Sequence, residues 1–168
     1  GSTNLPFTRP GNLIDITLDQ ALNTGQTFVV QVLYNGMPDP TGFGSIDWTK
    51  YGSGAQGTMV STLSEPDGAK TWWPCKDRPD DKATVEEWWT VPNTWTATGN
   101  GVLIETGPNG AGKTRYKWKL HDPVTSYLVS IAATEYSKFS QTYTTLAGGT
   151  MPIDHYVYSE DLAHAQIS

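Results

Sequence analysis

The sequence predicts an all-β protein of one domain, built as an antiparallel sandwich or a saddle-like curved sheet. The length of 168 residues suits one domain with a core. Glycine (17), proline (11) and aromatic residues (11%) are plentiful, whereas charged residues make up 17%, a balance typical of turn-rich β proteins. Several segments also alternate apolar and polar residues with the two-residue period of a strand.

The strongest predicted strand covers residues 26–34, QTFVVQVLY. Alternate residues from Phe28 to Tyr34 share one face. Val29 and Leu33 add apolar groups to the other face, so we expect a central strand covered on both sides.

Shorter patterns predict further strands and one helix. The strands are expected at Leu13–Leu18, Glu87–Val91, Gly101–Glu105, Thr114–Leu120, Ser126–Ala133 and Ile153–Tyr158. Asn-Gly pairs predict turns at 35–36, 100–101 and 109–110, and the strand from Thr114 is expected to stop at 121–123. Ser159 is expected to cap a helix whose first turn contains Glu160 and Asp161.

Adjacent tryptophans in the strand at 87–91 must point to opposite faces of the sheet. We therefore expect one of Trp88 and Trp89 to lie in the core and the other at the surface or an interface. An exposed tryptophan stacks well on sugar rings or partners, so a ligand platform is the alternative to plain packing.

Charge and composition exclude several classes of function. The net charge of -6 argues against nucleic acid or an anionic membrane as the main partner. No apolar run approaches 18 residues, so no membrane span is expected. The first residues have no signal-peptide pattern, and Gly1-Ser2 looks like a tag scar. The compartment stays open, with an extracytoplasmic one marginally favoured.

Residues 107–114, GPNGAGKT, match the phosphate-binding motif G-x-x-x-x-G-K-[ST] in full. That motif needs a strand before the loop and a helix after it, because the helix N-terminus supports the phosphates. The following residues have a period of two instead of a helical period. We therefore expect a hairpin loop here and no nucleotide site.

Metal and nucleophile signatures are absent from the sequence. His121, His155 and His164 have no metal-binding spacing, and no H-E-x-x-H or G-x-S-x-G occurs. Cys75 is the single cysteine, which excludes an intrachain disulfide and a cysteine metal cluster. We expect neither a cofactor nor a catalytic residue within this chain.

Residues 62–83 combine charges, prolines and tryptophans in one short segment. Its second half is expected to form a structural corner, in which ion pairs hold a bend that prolines pin. The residues of this predicted corner are Trp72, Trp73, Asp77, Arg78, Asp81 and Lys82, with Asp80 among the charges.

Glu65 is the candidate ligand-binding residue of the same segment. It precedes Pro66, and Asp67-Gly68 predicts a turn. A carboxylate presented at such a turn can anchor a cationic group by charge-assisted hydrogen bonds. A local cap or ion pair is the alternative interpretation.

Residues 65–83 also resemble a stretch of a known family, E-P-x-x-A-R-x-x-[FW]-P-C-x-D-x-P-x-x-K-A. It belongs to the N-terminal β domain of the gluzincin zinc aminopeptidases, alanyl aminopeptidase type. Residues 21–36 resemble the family's L-x-x-G-Q-x-F-x-V-x-I-x-Y-x-G, and residues 127–130 match its Y-L-x-S. Residues 91–92 with 100–101 resemble its V-P…N-G, and residues 151–163 look like its exit into the catalytic domain.

The resemblance implies that residues 1–158 form a partial N-terminal β domain and that 159–168 begin the connection to a catalytic domain. It implies that Glu65 binds the free α-amino group of a peptide substrate. The zinc ion, its ligands and the general base would belong to that catalytic domain, which would be the partner of this chain within one protein. A stand-alone module that binds glycans or peptides through surface tryptophans is the alternative.

Two positions depart from the family pattern. Lys70 stands where arginine is usual, and an ammonium group cannot reproduce the planar fork of a guanidinium. Residues 86–89, Glu-Glu-Trp-Trp, replace what is commonly an alternating strand rich in valine and threonine. These departures concern the fit of the chain to the family's substrate pocket.

Overall fold

The computed structural model of the chain describes residues 3–38, 45–51 and 57–167. The chain divides into two units, residues 1–37 and residues 38–168. The smaller unit contains two short antiparallel strands, β1 (Phe7–Thr8) and β2 (Asp15–Ile16), with Phe7 opposite Ile16.

The larger unit consists mainly of antiparallel strands, which confirms the all-β prediction. The strands are β3 (Ile46–Tyr51), β4 (Gly57–Thr62), β5 (Ala83–Pro92), β6 (Thr96–Thr98), β7 (Val102–Pro108), β8 (Lys113–Val124), β9 (Ala132–Thr134), β10 (Tyr136–Thr144) and β11 (Thr150–Tyr158). They form a four-stranded sheet β3-β4-β9-β6, a three-stranded sheet β5-β8-β7 and the hairpin β10-β11. Short 3₁₀ turns occupy Ala69–Thr71, Ser126–Leu128 and Ser159–Asp161, and α1 covers Leu162–Ala165.

The hydrophobic core lies between the four-stranded and the three-stranded sheet. Val91 of β5 packs with Ala97 of β6 and Ala133 of β9, and Trp89 packs against this cluster. The indole nitrogen of the buried Trp118 in β8 donates a hydrogen bond of 3.0 Å to the carbonyl of Ala97. The indole of β8 therefore links the two sheets as well as filling space between them.

The strands predicted at 87–91, 114–120 and 153–158 are confirmed and lie within longer strands. The strand predicted at 101–105 is confirmed with shifted bounds, since β7 starts at Val102 and ends at Pro108. The expected stop at 121–123 is wrong, because β8 continues to Val124. A register shift separates the pairs Ala83–Val124 and Val85–Leu120, so residues 121–123 fall in a bulge of β8. A proline is tolerated at a bulge because that position needs no ladder hydrogen bond.

The prediction of a central strand at 26–34 is wrong. These residues pair with no strand of the described chain, and the side chains of Val29 and Leu33 are 95% and 86% exposed. Alternation specifies which side chains share a face, but a strand forms only where backbone N–H and C=O groups find a ladder partner. The strand predicted at 13–18 shrinks to β2.

The prediction of a strand at 126–133 holds only for its last residues, which enter β9. The first three form a 3₁₀ turn, in which the N–H of Leu128 bonds the carbonyl of Thr125 at 3.1 Å. A helical segment does follow β11, but Ser159 is not its cap. Ser159 already lies inside the 3₁₀ turn, and the N-cap position is taken by Tyr158. The Ser159 hydroxyl lies 2.9 Å from that of Ser137.

Candidate functional site

Residues 64–73 form a compact turn directly after β4. The N–H of Gly68 donates to the carbonyl of Ser64 at 2.8 Å, and the N–H of Trp73 donates to the carbonyl of Ala69 at 3.2 Å. Ser64 and Ala69 are buried, whereas Glu65 between them is exposed. The turn therefore has a fixed inner side and presents the Glu65 carboxylate outward.

The Glu65 carboxylate forms no hydrogen bond or ion pair within the described ranges of the chain. The alternative of a local cap or ion pair is thus not seen among those residues. An exposed carboxylate on a rigid turn retains its hydrogen-bonding capacity for a group outside this chain.

Tryptophans connect this turn to the core. The indole nitrogen of Trp72 donates to the Ser64 hydroxyl at 2.9 Å. The Trp72 ring lies 5.9 Å from that of Trp73 and 6.2 Å from that of Trp89, both in tilted arrangements. Because Trp89 packs on the core cluster, the turn that carries Glu65 rests on the interior of the larger unit.

Lys70 joins the turn to the corner. Its ammonium group donates to the carbonyl of Asp67 at 2.7 Å and to the carboxylate of Asp77 at 2.6 Å. The Asp77 side chain is only 11% exposed. The hydrogen bond to Asp77 is the main cause that raises the pKa of Lys70 above its usual value, so Lys70 stays charged.

The remaining charges of the corner form local pairs. Arg78 and Asp80 lie 2.7 Å apart and both are largely exposed, and Lys76 pairs with Asp81. Lys82 belongs to none of the ion pairs found in the described part of the chain. The structure thus brings Asp77, Arg78 and Asp81 of the predicted corner into ion pairs, but not Lys82, and Lys70–Asp77 is the least exposed of these pairs.

A cavity of about 220 Å³ lies beside the corner. Its mainly apolar lining includes Trp73, Cys75, Val85, Val124 and Val129. Burial is the main cause that raises the pKa of the Cys75 thiol. A thiol with a raised pKa stays protonated near neutral pH, which does not suit a nucleophile.

Glu87 is a buried carboxylate for which the sequence pattern predicted no role. It is 5% exposed and accepts hydrogen bonds from the indole nitrogen of Trp89 at 2.9 Å and from the N–H of Asn100 at 3.2 Å. Burial raises the pKa of Glu87, whereas the two hydrogen bonds act in the opposite direction. The two-residue period of β5 places it on the face of Val91, and that signal is present in the sequence.

The tryptophan pair of β5 divides between two faces as predicted. Trp89 packs on the core, and Trp88 is 55% exposed. The ammonium of Lys117 lies 4.5 Å from the centre of the Trp88 ring and the guanidinium of Arg115 lies 5.3 Å from it. These cation–π contacts occupy part of the surface that a stacked ligand needs.

The phosphate-binding motif at 107–114 forms the loop of the β7–β8 hairpin, as expected. Pro108 pairs with Thr114, and the N–H of Asn109 donates to the carbonyl of Lys113 at 3.0 Å. The motif is followed by β8, so its loop lacks the helix N-terminus that supports phosphates.

Two further structural findings concern metals and membranes. Within residues 3–38, 45–51 and 57–167, no three histidine, cysteine, aspartate or glutamate side chains lie close enough to hold a metal ion. No helix in the described part of the chain is long and apolar enough to span a bilayer.

Solved structures similar to this chain are M1 zinc metallopeptidases. The enzyme from Deinococcus radiodurans aligns with a TM-score of 0.74 and 22% identity, over 89% of this chain and 34% of that chain. A two-domain M1 zinc metallopeptidase bound to L-arginine aligns with a TM-score of 0.74 and 20% identity, over 95% and 39%. Aminopeptidase A from Legionella pneumophila, in complex with aspartic acid, gives 0.60 and 24%, over 69% and 14%.

The chain therefore spans well under half the length of these structures. Because the identities are below 25%, these structural alignments establish the fold alone. A search of curated proteins returned no match. The model of the peptidase M1 N-terminal domain matches residues 4–128, which is most of the chain. The chain thus belongs to the peptidase M1 N-terminal domain family.

Proposed function

We propose that this chain is the non-catalytic N-terminal domain of a zinc aminopeptidase and forms one wall of its substrate cleft. Residues 1–158 would be the β domain and residues 159–168 the start of the connection to the catalytic domain. The proposal rests on membership of the family and on one local observation. Glu65 presents an exposed carboxylate, without a partner in the described chain, on a turn that Ser64 and Trp72 anchor.

In the proposed enzyme, Glu65 accepts hydrogen bonds from the charged α-amino group at the N-terminus of a peptide. A carboxylate suits this task because it is anionic and accepts hydrogen bonds only. The catalytic domain would hold the zinc ion, which supplies an activated water for hydrolysis of the first peptide bond. The contribution of this chain is orientation: an anchored amino group fixes which peptide bond reaches the metal.

The test of this role is Glu65→Gln in the full-length protein. We expect kcat/KM for peptides with a free N-terminus to fall by about 10- to 100-fold, because a charge-assisted hydrogen bond is lost. Peptides with an acetylated N-terminus should show no comparable loss. Steady-state kinetics on matched free and acetylated peptides measures the difference.

Asp67→Asn is the matched control, since Asp67 is a second exposed carboxylate of the same turn. It should leave the discrimination between free and blocked peptides unchanged. Equal losses for both peptide types in Glu65→Gln would contradict the proposal.

A stand-alone glycan- or peptide-binding module is the second candidate. The observation in its favour is the exposure of Trp88 and Trp48. Fluorescence titration of this chain with oligosaccharides and short peptides distinguishes the two candidates, because saturable binding lost in Trp88→Ala or Trp48→Ala supports the module alone.

A further inference from the structure

Glu87 is built into the junction of the two packed sheets. Its carboxylate accepts from Trp89 and from the backbone N–H of Asn100. A Cβ atom added at Gly99 would lie 2.1 Å from Oε2 of Glu87. The carboxylate thus occupies the space where a side chain at position 99 would lie, and Gly99 admits it.

Asn100 carries the connection from Glu87 to the segment that precedes β9. Its side-chain amide donates to the carbonyl of Leu128 at 2.9 Å, and its side-chain oxygen accepts from the N–H of Ser130 at 2.7 Å. One side chain therefore holds this segment at two backbone points, while its own backbone is held by Glu87.

The next residue of that segment bonds the end of β4. The N–H of Ile131 donates to the Thr62 hydroxyl at 3.0 Å, and the N–H of Thr62 donates to the carbonyl of Ile131 at 3.1 Å. Thr62 is separated by Leu63 alone from Ser64, the buried anchor of the turn that presents Glu65. A continuous series of hydrogen bonds and covalent links thus runs from Glu87 to the Glu65 turn.

The neighbours of Glu87 on its face of β5 and β8 are uncharged. The residues on its face of β5 are Val85 and Trp89, and those on the facing side of β8 are Tyr116, Trp118 and Leu120. Both hydrogen-bond donors to its carboxylate are neutral groups. No charge on these neighbours compensates the carboxylate, so its hydrogen bonds must offset the free-energy cost of removing it from water.

We propose that Glu87 is a positioning residue for the Glu65 turn, acting through Asn100, Ser130 and Thr62. The effect of Glu87 on substrate binding rests on the proposed function, whereas the hydrogen-bonded link from Glu87 to the Glu65 turn does not.

Amide hydrogen exchange on the 168-residue chain, followed by NMR, tests the link. Glu87→Ala leaves the indole N–H of Trp89 and the backbone N–H of Asn100 without their acceptor. We expect exchange at Ser130, Thr62 and Gly68 to accelerate about tenfold near neutral pH. The amide of Asn109 in the β7–β8 hairpin loop should keep its wild-type rate.

Glu86→Ala is the matched control, because Glu86 is the adjacent residue but lies on the exposed face beside Lys119 and Trp88. It should leave all these rates unchanged. Acceleration that stops at Asn100, or that is equally large at Asn109, would overturn the proposal, because it would show a break in the link or a general loss of stability.

Glu87→Gln keeps the test decisive if Glu87→Ala fails to fold, since it retains a carbonyl acceptor and removes the titration. In the wild type, protection of the Thr62 and Gly68 amides should decline as the pH rises through the titration of Glu87. In Glu87→Gln that step should vanish, and a persistent step would contradict the proposal.

In the full-length protein, Glu87→Ala, which removes the acceptor, should raise KM for free-N-terminus peptides more than it lowers kcat. Failure of Glu65→Gln to discriminate free from acetylated peptides would refute the proposed function while leaving the exchange result intact. The two proposals therefore fail separately.

Discussion

Glu86 and Glu87 are adjacent in β5 and lie in opposite environments. Glu86 is exposed and lies 3.6 Å from the ammonium of Lys119, while Glu87 is buried among apolar and aromatic side chains. The pleat of the strand produces this difference, because successive side chains leave on opposite sides. Two chemically identical residues therefore have different energetic roles.

The buried carboxylate predicts a pH dependence of stability. Burial raises the pKa of Glu87 above its usual value, so the folded state binds this proton more tightly than the unfolded state. The contribution of Glu87 to the free energy of unfolding is then full at low pH and is lost as the pH rises through the raised pKa. Urea unfolding of the wild type and Glu87→Gln, between about pH 4 and pH 8, measures it.

The difference in the free energy of unfolding between wild type and Glu87→Gln reports on Glu87 alone, because the other carboxyl groups contribute to both proteins. Ion pairing with Lys117 and Lys138 lowers the pKa of Glu105 and of Asp154, which contribute with the opposite sign. A difference between wild type and variant that grows in favour of the wild type at high pH would refute the assignment.

Two glycines in left-handed backbone give a second prediction at this scale. Gly101 has φ +84° and Gly110 has φ +86°, so alanine is strained at both by about 1–2 kcal/mol. A Cβ at Gly101 would also lie 2.1 Å from the carbonyl oxygen of Lys119, whereas nothing lies within 4 Å at Gly110. We expect Gly101→Ala to lower the free energy of unfolding clearly more than Gly110→Ala, as measured by urea titration. Equal losses would show that β8 moves away at little cost.

At the scale of secondary-structure elements, the corner next to the 3₁₀ turn at Ala69–Thr71 contains ion pairs that differ in their exposure to solvent. Lys70→Ala should lower the free energy of unfolding by about 1 kcal/mol, because it leaves the mostly buried Asp77 without its partner. Arg78→Ala should change it little, since both members of that pair are largely exposed. Thermal and urea unfolding of the two variants compares them, and a larger loss for Arg78→Ala would contradict this ranking.

Local sequence pattern is sufficient to predict β5, β7 and β8, but not β6 between them. The alternation at 114–120 predicts β8, and the Asn-Gly pair at 109–110 predicts the hairpin turn that closes it. Both signals are local, so no distant partner is needed to interpret them. The motif at 107–114 is correctly predicted as a loop for the same reason.

Local pattern is insufficient where the partner of a segment decides its structure. Residues 26–34 have stronger alternation than β5, yet they find no ladder partner in the described chain. Glu65 is identified through its turn residues and the family resemblance. The relay from Glu87 through Asn100 depends on contacts between residues far apart in sequence, which periodicity does not encode.

For the whole molecule, the family match is to the peptidase M1 N-terminal domain, and the architecture is all-β. The described ranges of this chain place no three metal-binding side chains together. On the proposed non-catalytic role, the pure 168-residue chain should hydrolyse no aminoacyl arylamide when Zn²⁺ is added, because metal-assisted hydrolysis needs a bound ion. Release of the arylamine, followed by absorbance, is the measurement, and reproducible turnover would contradict the proposed non-catalytic role.

The tilted indoles of Trp72, Trp73 and Trp89 have an optical consequence. The ring centre of Trp72 lies 5.9 Å from that of Trp73 and 6.2 Å from that of Trp89, close enough for the electronic transitions of these indoles to couple. The tilts of 50° and 42° make the coupled set chiral. We expect an exciton couplet in the circular dichroism of the folded chain, and its amplitude should fall in Trp72→Phe. The turn that presents Glu65 then carries its own spectroscopic label, which reports its integrity without any added dye.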